Sequence, residues 1–137
     1  MINLNTEYPF GLLFHHFFSD AHPRGQGAID ADVFYRVIEI FGIKNILNAD
    51  EWIHRSKEGS LKPSDRCLTL DDGLMCQYDI ALPVLEALNL KAFWFVYTSP
   101  MVGGGDLLEL YRYFRTTEFE QISDFYQSFY IEIDKLG

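Results

Sequence analysis

Arg66-Cys67-Leu68-Thr69-Leu70-Asp71-Asp72-Gly73 is the stretch on which the fold turns. An apolar run of this length reads as a strand buried on both faces, the kind found inside parallel sheets. It ends abruptly in two carboxylates and a glycine. In parallel α/β folds the C-terminal ends of the strands carry the active site, so adjacent acids there are candidates for chemistry. Like charges this close raise one another's pKa, which suits a shared metal or a general base. Gly73 lets the chain turn sharply away. Asp-Asp-Gly is also ordinary turn and helix-cap chemistry, and spacing alone does not separate the two uses.

Working outward, the same alternation of strand and helix appears on both sides. Phe10 to Phe18 is nearly continuous in bulky residues and reads as a first buried strand. The loop Ser19 to Asp30 follows, then a helix opened by Asp30 or Asp32 with Val33, Phe34, Val37, Ile38 and Phe41 as its apolar stripe, stopped by Gly42. Ile43 to Leu47 reads as a short second strand. Asn48 or Asp50 caps a helix containing Trp52 and Ile53 that Gly59 ends. After the motif strand, a helix is expected over roughly Tyr78 to Leu88, with Pro83 in its first turn because a mid-helix proline would break it. Lys91 to Thr98 is the fourth strand. Strand, helix, strand, helix, strand, helix, strand calls for parallel strands joined by right-handed crossovers.

The last third changes character. Gly103-Gly104-Gly105 reads as a hinge, and Asp106 caps a helix through Arg115. Thr117 with Glu120 reads as a capping box for a further helix to Lys135. Phe119, Ile122, Phe125, Tyr126, Phe129, Ile133 and Leu136 follow helical spacing on it and need a cover. The expected organisation is therefore residues 1–100 as the β/α part and 101–137 as a helical extension.

Composition bounds the function. The 137 residues are 48% hydrophobic and 16% aromatic, enough for a packed core, though short for a closed α/β barrel. A net charge of −9 argues against binding nucleic acid or an anionic membrane surface, both of which need cations. A neutral or cationic ligand fits that charge, and so does simple solubility. Met1 to Glu7 lacks the basic start and apolar run of an export signal, and no stretch approaches a membrane span, so a cytoplasmic location is expected. Cys67 and Cys76 read as two reduced thiols rather than as a disulfide framework or a zinc-thiolate pair. His54, beside Arg55, reads as a surface residue. Gly103 to Asp106 lacks the lysine and spacing of a phosphate loop.

Thr69-Leu70-Asp71-Asp72-Gly73 resembles the Thr-Phe-Asp-Asp-Gly motif of the polysaccharide deacetylases, the NodB-homology or carbohydrate esterase family 4 domain. Leu82-Pro83-Val84-Leu85 and Asn89 to Val96 are similar to the family's continuation into its next strand. Leu12-Leu13-Phe14-His15-His16 looks like its opening strand, and Asp50-Glu51-Trp52 with Gly59 to Pro63 resembles its approach to the motif. Order and spacing agree from Phe10 to Pro100, about two thirds of the chain.

The resemblance implies a distorted (β/α) barrel, here a partial one of about four mostly parallel strands with a helical C-terminal segment. It also implies a hydrolase that removes acyl groups from a carbohydrate, using zinc or a similar divalent metal. By position Asp71 matches the catalytic base and Asp72 the metal-binding aspartate. His15 and His16 are the candidates to meet substrate. The family's His-x-x-x-His metal motif has no counterpart, since Thr98 to Gly137 contains no histidine, and its later motifs are missing as well. A catalytic zinc takes three protein ligands, so the implied site is incomplete and the chain is expected to be inert alone, as a fragment or a degenerate relative. A local substitute would combine Asp72, one of His15 and His16, and His22. The rival expectation is a non-catalytic, barrel-derived domain whose aromatic C-terminal helices form a homo-oligomer or hold a partner.

Overall fold

A computed structural model describes residues 7–25 and 27–136. Three strands form one parallel sheet in the order β1 (Phe10–Phe14), β2 (Arg66–Asp72), β3 (Phe93–Val96). Five helices accompany them: α1 (Ala31–Phe41), α2 (Ala49–Glu58), α3 (Leu82–Ala87), α4 (Leu107–Thr117) and α5 (Ile122–Leu136). The α/β class and parallel sense are as expected, while a closed or partial barrel is not a feature of a three-stranded sheet by itself. Among the described residues no helix is long and apolar enough to cross a membrane. The expectations placed on Met1 to Thr6 and on Gly137 lie outside the described residues.

The motif segment is the central strand, and its register orders the site. Leu12, Leu68 and the Phe14–Leu70–Trp94 row lie side by side, as do Leu13, Thr69 and Phe93, with Asp71 beside Phe95. Because side chains alternate, the row of Leu68 and Leu70 faces one side and the row of Thr69 and Asp71 the other. The first side is the core. Leu68 and Leu70 are fully buried against Phe34 and Ile38 of α1 and Ile80, Ala81 and Leu85 around α3. Burial of each such side chain contributes about 1.5–3 kcal/mol. The opposite side is less covered: Leu13 is 62% and Phe95 56% exposed.

Local sequence explains most boundaries. The Asp30 carboxylate accepts from the Val33 amide at 2.8 Å and caps α1, and Gly42 at φ 82° ends it. Gly59 at φ 67° ends α2 in the left-handed conformation. Pro83 stands in the first turn of α3, directly after the wide π-helical turn Gln77–Ala81. Asp106 caps α4 by accepting from the Glu109 amide at 3.0 Å.

Four expectations are corrected. The strand expected over Phe10 to Phe18 ends at Phe14, because the next residues leave the sheet and Phe17 bridges Ile29 instead. Ile43 to Leu47 is not a strand: Ile43–Asn45 form a 3-10 turn and only Ile46 bridges Arg66, so there are three strands rather than four. The helix expected over Tyr78 to Leu88 opens as a wide π-helical turn, Gln77–Ala81, before α3 proper. Thr117 does not open the last helix. It is the final residue of α4, its hydroxyl donating to the Tyr113 carbonyl, and α5 starts at Ile122.

Candidate functional site

The ends of β1 and β2 lie side by side, so the residues that follow them meet. Asp72 closes β2 at φ 73°, a left-handed conformation that costs a non-glycine residue about 1 kcal/mol or more. Gly73 follows at φ 68°. Two successive left-handed residues swing the chain off the sheet and turn the Asp72 carboxylate toward the residues after β1. There the His15 Nε2 lies 2.5 Å from Asp72 Oδ2. Gln77, wholly buried in the π-helical turn, fixes both strand ends: its Nε2 donates to the His15 carbonyl at 2.7 Å and the Asp71 carbonyl at 2.5 Å.

Helix α4 closes the cluster. The His16 Nε2 lies 3.0 Å and 3.2 Å from the two Glu109 carboxylate oxygens. Arg112, one turn on, donates to Glu109 Oε1 and lies 3.8 Å from Asp72 Oδ2. Burial alone would raise the Glu109 carboxyl, but hydrogen bonds from His16 and Arg112 outweigh it and hold the group below its ordinary range. The His15 and His16 rings stack in parallel at 4.9 Å. Both line a cleft of about 490 Å³, bounded also by Leu74, Cys76, Glu109, Arg112 and Arg115.

These placements revise the sequence reading. Alternation predicted that only one of His15 and His16 would face the site; both do, since neither lies within β1. His22, a candidate to join Asp72 in a local metal site, lines the same cleft but its Nε2 pairs with Asp79 at 2.8 Å. Asp72 has His15 and Arg112 as neighbours of opposite or potential opposite charge. Asp71 is half-buried and its carboxylate makes no hydrogen bond or ion pair among the described residues. By strand alternation it faces the open side, beside Phe95. His54 is a surface residue, paired with Glu58. Trp94 packs against the core and borders a smaller hollow with Gly73, Leu74, Met75 and Tyr78. Sequence reasoning missed Glu109, Arg112 and Gln77 altogether. A Glu three residues inside a capped helix gives no sign of the partner it will meet.

The donor set suits a divalent cation. One ligand atom each from His15, Asp72 and Glu109 lie within 4.8 Å of one another, and one imidazole with two carboxylates is a nitrogen–oxygen set typical of zinc and its neighbours. The 2.5 Å His15–Asp72 contact is a hydrogen bond, shorter than the separation of about 3.3 Å that two tetrahedral zinc ligands keep. Metal would replace that hydrogen bond and compete with Arg112 for both carboxylates. Comparison with family models, with curated proteins and with solved structures returns no match for this chain.

Proposed function

We propose that this chain supplies the base and the metal-binding half of a polysaccharide-deacetylase-like hydrolase. The observation that carries the reading is the convergence of His15, Asp72 and Glu109 at the C-terminal end of a parallel strand, with Asp71 one residue away. His15, Asp72 and Glu109 are the residues that would hold a divalent metal such as zinc. When bound, that metal polarises the acyl carbonyl and makes water more acidic. Asp71 removes a proton from the attacking water, and its freedom from other partners leaves its oxygens available for that work. Water adds to the carbonyl carbon, the bond from that carbon to the sugar nitrogen breaks, and the departing amine takes the proton. Gln77 holds the backbone of His15 and Asp71 in place during the step. None of the residues gathered here is assigned as a general acid, so the chain is proposed to be inert toward an amide by itself.

A partial (β/α) barrel fits the sheet, whose helices α1 and α3 cover one face while Leu13 and Phe95 leave the other open, as a barrel wall would. Two buried, unbonded thiols fit a reducing compartment such as the cytoplasm. The substrate class is an acylated carbohydrate.

An activated acetyl ester tests the reading without needing an acid, because its leaving group departs unprotonated. With zinc or cobalt supplied, p-nitrophenyl acetate should be cleaved at a rate at least about 100-fold lower in Asp71→Asn, the usual scale for removing a catalytic base. Metal binding should be unchanged in that variant. Equal rates in both proteins would end the hydrolase reading while leaving the metal centre standing.

A second reading, a non-catalytic domain that self-associates, is favoured by the exposed apolar residues of α4 and α5, among them Leu107, Leu110, Tyr130 and Leu136. Sedimentation that shows a dimer with no metal bound would support it over the first.

A further inference from the structure

Helix α4 turns one face to the cleft that contains His15 and Glu109. Positions 109, 112 and 116 lie along that face at helical spacing, with Arg115 beside them. The two arginines are in different states. Arg112 is consumed by Glu109 and Asp72. Arg115 makes no salt bridge among the described residues, and its only side-chain hydrogen bond is a long one, 3.5 Å from Nη1 to the Tyr126 hydroxyl. Its Nε is buried with no partner among the described residues. Leaving a donor of a permanently charged group buried and unpaired is costly. A buried donor without a partner calls for an explanation, and a bound anion is one that fits a guanidinium. Arg115 also borders a second, smaller hollow with Arg24, Gly25, Thr116 and Glu120, so two guanidinium groups and a hydroxyl share it with a single carboxylate and leave it net cationic. In a chain of net charge −9, a cationic spot of this kind selects for the opposite sign.

We infer that Arg115, with Arg24 and Thr116, forms an anion subsite beside the His15–Asp72–Glu109 cluster, which takes a carboxylate or phosphate group carried by the substrate. A planar guanidinium meets such a group with two parallel hydrogen bonds, a geometry that lysine cannot reproduce. The subsite rests on the proposed reading only in its substrate being a sugar; the anion it selects does not depend on a bound metal. It makes the substrate an acidic or phosphorylated glycan rather than a neutral one, which the composition alone would not have favoured.

The test is calorimetric titration of the whole chain, treated with chelator, with inorganic phosphate, acetate, glucose 6-phosphate, glucuronate and methyl glucoside. The charged sugars should bind at least about 10-fold tighter than methyl glucoside, with affinity that falls as salt is raised. Phosphate tighter than acetate assigns the group as phosphate, and the reverse assigns it as carboxylate. Arg115→Gln should remove the preference, and Arg115→Lys should restore only part of it. Equal binding of charged and neutral sugars, no binding of any anion, or a preference unchanged in Arg115→Gln would each overturn the subsite. The wild-type salt dependence decides the matter even if both variants fail to fold, since a flat response contradicts an ionic subsite. Anions that bind without any gain from the sugar ring would leave the subsite standing and remove the carbohydrate reading.

Discussion

At the scale of single residues, the site depends on where carboxylates find partners. Asp72 is held by His15 and approached by Arg112, while Asp71, its neighbour in sequence, stands apart. The pair was visible in the sequence as a candidate, because two acids end a buried strand, although a plain turn would read the same way. Which acid would gain partners was not legible, since that depends on the left-handed backbone at Asp72 and on a helix that begins at residue 107. Arg112 occupies the place a cation would take, so it is a competitor for metal. Replacing it by Met, which keeps the length and removes the charge, should tighten zinc binding by roughly 10-fold, about 1.4 kcal/mol. Unchanged or weaker zinc affinity in Arg112→Met would show that the arginine is not in the way.

Cys67 gives an independent check on burial. Its thiol is pushed up from 9.0 to about 11 because the charged form would lie in the core. The unfolded chain therefore loses this proton first as pH rises. The stabilisation is complete below about pH 9 and is lost as pH climbs toward 11. Equilibrium unfolding should show stability declining over that window, and less steeply in Cys67→Ala. A thiol that reacts rapidly with a thiol reagent in the native protein at neutral pH would contradict the burial.

At the scale of elements, the sequence was most reliable where one local signal sufficed. The cap at Asp30 and the stops at Gly42 and Gly59 are single-residue effects, and they stand as read, whereas Pro83 follows a π-helical turn instead of opening the helical run. It failed where two segments had to be weighed together. Ile43 to Leu47 is apolar enough for a strand, yet the turn at Gly42 tightens into a 3-10 turn and leaves one bridging residue. Thr117 and Glu120 have the spacing of a capping box, but α4 runs on through Thr117 and uses its hydroxyl internally. Asn48 precedes α2 as expected, though its side chain accepts from the Lys91 amide at 2.7 Å and so ties α2 to the approach of β3.

The attachment of α4 belongs to this scale too. The Glu109 carboxyl is held below its ordinary 4.5 by His16 and Arg112 against the opposing effect of burial. The contribution of these contacts is complete above about pH 4.5 and is lost as pH falls through the depressed value. Acidification should therefore loosen α4 from the cluster below pH 4.5. Near-ultraviolet circular dichroism of the neighbouring tyrosines, compared with Glu109→Gln, would register it. A Glu109→Gln variant with the same acid transition as the parent would assign the change to other carboxylates.

At the scale of the whole molecule, a single hydrophobic layer carries the fold. Leu68 and Leu70 of β2 face α1 and α3 and are sealed, whereas Thr69 and Asp71 on the other face are only partly covered. The alternation of elements predicted the parallel sheet, but the fourth strand it required is absent among the described residues, so closure into a barrel stays with the proposal rather than the fold. The strand-end acids were visible in the sequence, whereas Glu109, which joins Asp72 in the cluster, comes from α4, beyond the next strand. No local pattern joins Asp72 to Glu109, because the contact exists only after the chain has crossed β3 and returned.

The proposed function requires that this contact make a metal site. Elemental analysis of the purified chain after exposure to zinc, alongside Asp72→Ala and Glu109→Gln, measures it directly. One zinc per chain, lost in Asp72→Ala and sharply weakened in Glu109→Gln, is the result the geometry predicts. Zinc absent from all three proteins, or retained equally in all three, would mean that His15, Asp72 and Glu109 form a closed ion-pair network and hold no metal.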